Sequence, residues 1–123
     1  MFLILTNSFL KKELKPLAKY YSIKDIKKTV KKISGSSIRL AHLGYQDGEL
    51  IKLRMLSKMA GRIIVYVYVS KQLIIPVVVR LKKDKVIGEN LSLNNKKAKK
   101  IILNMLENVM VDMREGKYKK ETM

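Results

Sequence analysis

The sequence predicts an α+β domain: a small antiparallel sheet of about four strands, two N-terminal helices packed on one of its faces, and a C-terminal helix. Three observations predict it. Residues 49–83 alternate apolar and polar side chains in three runs, separated by Gly61 and by Ser70 and Lys71, which is the period of neighbouring antiparallel strands. Between a short apolar opening and that meander lie two stretches with apolar residues at helical spacing. Beyond it, Ala98, Ile101, Ile102, Met105, Val109 and Met113 form one stripe along a helix.

Taken in order, residues 1–6 read as a first strand, and Asn7 or Ser8 is suited to cap a helix bearing Leu10, Leu14, Leu17 and Tyr21 on one side. Pro16 lies inside that helix and should kink or divide it, because proline removes a backbone donor. Ser22 and Asp25 have the spacing of a capping box for a second helix, with Ile26, Val30 and Ile33 inward and Gly35 as its stop. Gly35, Gly44 and the pair Asp47 and Gly48 mark residues 34–48 as a loop. The strands follow, then an irregular segment 83–90, and the last helix, opened by Ser92 and ended by Gly116. Residues 1–116 therefore form a single domain, and 117–123 read as a polar, frayed tail.

Composition narrows the function. The 123 residues carry 27 Lys and Arg against 10 Asp and Glu, a formal net charge of +17, which selects a polyanionic partner: nucleic acid, an anionic membrane or an acidic protein. A hydrophobic content of 47% is too high for a disordered basic tail. With no cysteine and the single His42, the chain offers neither thiol chemistry nor a usual structural zinc set, and no cofactor is implied. The absence of cysteine is compatible with a reducing cytoplasm. Residues 1–5 are too short and lack the basic flank of a secretory signal, and no run reaches the ~20 apolar residues of a membrane span.

Charge is also placed by the pattern. In residues 50–56, Ile51, Leu53 and Met55 point one way and Lys52 and Arg54 the other; in the next run Ile63, Val65, Val67 and Val69 oppose Arg62, Tyr66 and Tyr68. In the third run, Arg80 and Lys82 share a side. The expectation is a solvent-facing sheet surface collecting Lys52, Arg54, Arg62, Arg80 and Lys82, with Lys83 beside it. The ordinary alternative is a half-exposed sheet whose outward residues happen to be basic. The lysines on the first two helices, Lys11 and Lys31 among them, have the parallel choice between a solvated face and nucleic-acid contact.

The order strand, two helices, three strands, together with the strings Gly48-Glu49-Leu50-Ile51-Lys52-Leu53-Arg54 and Gly61-Arg62-Ile63-Ile64-Val65-Tyr66, resembles the RelE/ParE superfamily of toxins from bacterial toxin-antitoxin pairs. The segment from Phe9 through Pro16 to Ser22 is similar to the family's first helix and turn, and Asn90-Leu91-Ser92 to the start of the final helix of its RelE and HigB branches. The resemblance spans residues 1 to about 113. It implies a RelE-like fold and a cytoplasmic, metal-independent endoribonuclease that cleaves mRNA on the ribosome, inhibits translation, and is held silent by a cognate acidic antitoxin in a hetero-oligomer.

Carried over by position, the resemblance puts Lys52 and Arg54 on the basic strand, Arg62 after the glycine turn, and Arg80, Lys82 or Lys83 in the cluster closing the last strand. Such chemistry uses the 2′-hydroxyl as nucleophile, so the protein must accept its proton, neutralise the phosphorane and protonate the departing 5′-oxygen. Arginine's planar fork suits the phosphorane. Lys52 is a candidate base where Arg54 and Arg62 favour its neutral form; Glu49 is another. Tyr66 and Tyr68 are candidates to stack on RNA bases. Residues 82–91 contain neither the Tyr nor the His that many ribonuclease members carry there, though Asp84 and Glu89 are near. Two alternatives stay open: a ParE-like poison of DNA gyrase, and a noncatalytic RNA-binding module with strong salt dependence.

Overall fold

The computed structural model describes residues 1–33, 38–39, 48–68, 70–84 and 95–123. Strand β1 (Phe2–Thr6) leads into a π-helical turn (Phe9–Leu14) and a 3₁₀ turn (Lys15–Leu17), followed by α1 (Ile23–Val30). A two-residue β2 (Ile38–Arg39), β3 (Gly48–Arg54), β4 (Gly61–Tyr68) and β5 (Leu73–Leu81) come next, then α2 (Lys96–Glu115) and β6 (Tyr118–Thr122).

The three central strands form the expected antiparallel meander, but the sheet is larger than expected and mixed. Its order is β2-β3-β4-β5-β1-β6, five full strands and the short β2, with β1 parallel to β5 and β6 antiparallel to β1. The long helical connection out of β1 permits a parallel neighbour, which a hairpin does not. Residues 118–122 are thus an edge strand and not a frayed tail: Tyr118 pairs with Thr6 and Thr122 with Phe2, and Lys27 of α1 reaches Glu121 at 2.7 Å.

Local sequence explains the helical segments. Thr6, not Asn7 or Ser8, accepts the Phe9 N–H on its side chain at 3.2 Å. The π-helical turn closes with Lys15 N–H on the Leu10 carbonyl, and at Pro16, which has no N–H, the chain tightens to a 3₁₀ turn. Ser22 and Asp25 make the full capping box. The last helix starts from Asn95, whose side chain accepts the Ala98 N–H, and stops at Gly116, which takes φ 71°, a left-handed value favouring glycine. The expected stop at Gly35 and the expected start at Ser92 lie outside the described residues, as do His42 and Glu89.

Both sheet faces are covered. On one, Leu3, Leu5, Ile51, Leu53, Ile63 and Val65 pack with Phe9, Leu14, Tyr21, Ile26 and Val30. On the other, Ile4, Leu50, Ile64, Tyr66, Ile75, Val77 and Val78 pack against Ala98, Ile102, Met105, Leu106 and Val109 of α2. This corrects the expectation of an open sheet face: the side that carries Arg62, Tyr66 and Tyr68 is buried under α2 over its middle. Burying side chains of this kind is worth about 1.5–3 kcal/mol each, so the apolar stripe of α2 is spent on the sheet.

One irregularity sets the phase of β5. Val65 pairs with Pro76 but Ile64 pairs with Val78, so Val77 is an extra residue, and Val77 and Val78 both face α2. A bulge is where a strand interior tolerates proline.

Candidate nucleic-acid interface

The β5 bulge decides which basic residues meet. With it, Arg80 pairs with Arg62, and Arg62 with Arg54, so three arginines stand in one row across β5, β4 and β3. In the unshifted register that holds from Leu73 to Pro76, Arg62 would face Val79 and Arg80 would fall on the opposite face. Met55 N–H bonds the Gly61 carbonyl at 3.0 Å, so the neighbouring Arg54 and Arg62 form a non-hydrogen-bonded pair, the kind whose Cα atoms approach to about 4.5 Å. Arg54 is exposed and Arg62 half-buried, and neither makes an ion pair among the described residues. Arg62 donates to the adjacent Gly61 carbonyl at 3.2 Å. Lys52 lies on the same face two residues from Arg54, about 7 Å along the strand, and is half-exposed.

Arg80 is in the row but not free. Its Nε and a terminal nitrogen bond the two carboxylate oxygens of Glu13 at 3.1 and 2.9 Å, and Asp84 stands at 3.8 Å. Glu13 is 3% exposed and also accepts the Val79 N–H at 3.0 Å, a donor on the β5 edge that points away from β4 past the end of β1. Burial works against the Arg80 charge, but the Glu13 hydrogen bonds and charge, with Asp84, outweigh it and hold the guanidinium above its ordinary pKa. Beside this pair is a cleft of ≈ 500 Å³ with an apolar floor of Pro16, Leu17, Val79 and Leu81 and a rim including Lys12 and Lys83.

The turn between β3 and β4 is fixed from below. Tyr21, 2% exposed, donates its hydroxyl to the Met59 carbonyl at 2.8 Å, and a Cβ on Gly61 would overlap that hydroxyl and crowd the Arg80 carbonyl. Burial raises the Tyr21 pKa above 10.0 and Asp25 adds to it, while Arg62 pulls the other way. Thr29 ties the turn to α1 by accepting the Leu56 N–H at 2.9 Å while donating to the Asp25 carbonyl. Lys82 is exposed just past β5, its N–H on the Ala60 carbonyl, and Lys83 lies with its ammonium 5.6 Å from the Tyr20 ring centre.

Other expected site residues stand apart. Glu49 alternates with Ile51 and Leu53, hence on the face opposite Lys52 and Arg54, and pairs with Val67 about 17 Å along the strand from Arg54. Tyr66 is 2% exposed under α2 and cannot stack on a base; its ring occupies the space a Cβ on Gly48 would need. Tyr68 is half-exposed, but at the far end of β4, where it meets Tyr66 edge-on at 6.0 Å and Lys71 at 5.1 Å. Lys11 is exposed on the π-helical turn. Lys31 is exposed beside the β3–β4 turn.

Sequence reading missed Glu13, Tyr21 and Thr29 as parts of this region. A carboxylate among lysines, Lys11, Lys12 and Lys15, looks like surface charge, and only the exposed β5 edge gives it a buried role. Pro76 inside an apolar strand was the available signal for the bulge. Among the described residues no helix is long and apolar enough to cross a membrane, and no three His, Cys, Asp or Glu side chains cluster as metal ligands. Comparison with protein-family profiles, curated proteins and solved structures finds no match to the chain.

Proposed function

We propose that the chain is an RNA-cleaving toxin of a toxin-antitoxin pair, acting on mRNA at the basic end of its sheet. The observation that supports this most is the Arg54 and Arg62 pair. Two like charges directly opposed in a sheet destabilise it, and here neither arginine makes an ion pair among the described residues. A phosphodiester offsets the two charges, and its crowded phosphorane does so better, because the two forks supply charge-assisted hydrogen bonds to its equatorial oxygens.

In this reading the ribose 2′-oxygen attacks phosphorus and the bond to the 5′-oxygen breaks, leaving a 2′,3′-cyclic phosphate and a 5′-hydroxyl. Lys52 stands where a base would take the 2′ proton, and Lys82 where an acid would supply one to the departing oxygen. Arg80 serves the site at second hand, since Glu13 already holds its fork. An antitoxin with an acidic segment that folds on binding would cover the same surface.

A second reading, an RNA-binding module without cleavage, draws on two findings: Glu49 lies on the other face, and Arg80 is engaged by Glu13. Mapping new RNA ends after adding purified protein to a cell-free translation reaction, with the same messenger lacking ribosomes as control, separates the readings. Cuts within translated codons, absent from the control, support the ribosome-dependent toxin; cuts in both, a free ribonuclease. Binding without cuts supports the module. Neither binding nor cuts removes the RNA reading and makes DNA supercoiling by gyrase the next assay.

A further inference from the structure

We infer that the cleft between α1 and the β3–β4 turn is a second phosphate site for the RNA strand held at Arg54 and Arg62, an inference that rests on the RNA reading above. The cleft measures ≈ 620 Å³ and is lined by Lys28, Lys31, Lys32, Ser57 and Lys58 with Met55 and Leu56. Its four lysines are exposed and none makes an ion pair among the described residues, whereas Lys27 on the same helix pairs with Glu121.

Three of these lysines have an ordinary reason to be there, since cations at a helix C-terminus are favoured by about 0.3–1 kcal/mol. Lys58 has none. It comes from the opposite wall, on a turn that has six residues in which to place a charge elsewhere, and its ammonium adds only repulsion until an anion enters. The walls are also held in place: the buried Thr29 hydroxyl accepts the Leu56 N–H and Tyr21 holds the Met59 carbonyl, so turn and helix form one frame.

The occupant follows from the position of that turn. It leaves β3 at Arg54 and enters β4 at Gly61, next to Arg62; the arginine pair lies on the α2 side of the sheet and the lysine cleft on the α1 side of the same turn. A single RNA strand running over the end of the sheet meets both, the arginines at the bond to be broken and the lysines at a flanking phosphate. Lysine suits the second role, because a flexible point charge holds a backbone without fixing the geometry of a reaction.

The test is fluorescence anisotropy with a labelled tetranucleotide and a single-stranded RNA of about 12 nucleotides, a length within the usual range of single-strand sites, titrated across a salt series. Wild type should bind the longer RNA more tightly and with the steeper salt dependence. The double variant K31Q/K58Q, with its urea midpoint checked, should lose about 0.7 in log-log salt slope per phosphate contact on the longer RNA and nothing on the tetranucleotide. Arg62→Ala should weaken both. An unchanged slope for K31Q/K58Q on the longer RNA overturns this site and leaves the arginine reading intact, and so does a loss confined to binding of anionic phospholipid vesicles. Absence of RNA binding by wild type at low salt overturns both.

Discussion

Arg54 and Arg62 face each other across β3 and β4 at a non-hydrogen-bonded position, the closer of the two cross-strand spacings. Each is flanked by apolar residues buried on the other face, Leu53 and Met55 beside Arg54 and Ile63 beside Arg62. Neither strand can therefore slip by one residue to separate the charges without turning those side chains into solvent. The repulsion is built into the register.

Arg62→Ala should cut RNA cleavage by about 100-fold or more, the loss typical of one oxyanion donor. Stability should stay level or rise by a few tenths of a kcal/mol, because a like-charge pair is removed. Cleavage rate and urea midpoint on the same preparation check both halves; a folded Arg62→Ala protein that cleaves at the wild-type rate removes Arg62 from the chemistry.

Glu13→Ala strands the Arg80 guanidinium and the Val79 N–H together. Breaking a buried ion pair from one side costs about 3–5 kcal/mol, and since Arg80 keeps partial solvent contact the expected loss is near the lower end, about 3 kcal/mol. Denaturant melting reads it directly. A loss under about 1 kcal/mol means that the pair is a surface contact in effect, as exposed pairs are.

Tyr21→Phe should change how stability responds to alkali. In the folded protein the Tyr21 pKa is raised above 10.0, by burial first and Asp25 second, so above pH 10.0 the unfolded chain loses this proton more readily than the folded one. The contribution is complete below pH 10.0 and is lost as pH rises through the folded pKa. Unfolding midpoints measured across about pH 9–11 should fall more steeply for wild type than for Tyr21→Phe. Identical slopes contradict the assignment.

Gly61→Ala puts a methyl group against the Tyr21 hydroxyl and the Arg80 backbone carbonyl. Overpacking of this kind costs about 1–3 kcal/mol, and because the turn must shift, RNA cleavage should fall with it. Comparing Gly61→Ala with the distant Gly48→Ala, which meets the Tyr66 ring, separates the two effects: both should destabilise, and only the first should slow cleavage per folded molecule.

Truncation after Gly116 removes β6 and bares the β1 edge. The shortened chain should melt at a lower temperature and self-associate more, since an unpaired apolar strand edge is a template for another chain. Thermal melting and light scattering at matched concentrations test this; unchanged behaviour in both would falsify a structural role for β6.

Much of this architecture was legible from local pattern. The Ser22 and Asp25 box, the stripe from Ala98 to Val109 and the left-handed Gly116 are all set by neighbours in sequence, whereas the single helix expected to carry Leu10, Leu14, Leu17 and Tyr21 is a π-helical turn followed by a 3₁₀ turn. What was not legible depends on long-range pairing. Alternation placed Arg54 and Arg62 on the same kind of face correctly, but Ile64 and Leu50 between and beside them already demanded a cover, which α2 provides. Strand 118–122 carries Lys119, Lys120 and Glu121, a composition that says tail until β1 supplies the other half of its hydrogen bonds. Glu13 and Arg80 are 67 positions apart, and no local signal joins them.

The position of β1, between β5 and β6, has a consequence for synthesis. The chain is made from its N-terminus, so the first strand emerges long before either of its neighbours, and its apolar residues Leu3, Ile4 and Leu5 wait for residues 73–74 on one side and 118–122 on the other. The meander of β3, β4 and β5 closes over short separations and can assemble early; the edge that joins beginning to end closes last. Glu13 reaches Val79 and Arg80 only from the segment that follows β1. The arginine row lies wholly within that meander and can form with it, whereas the Glu13 clamp on Arg80 waits for β1 and the turn after it to dock beside β5.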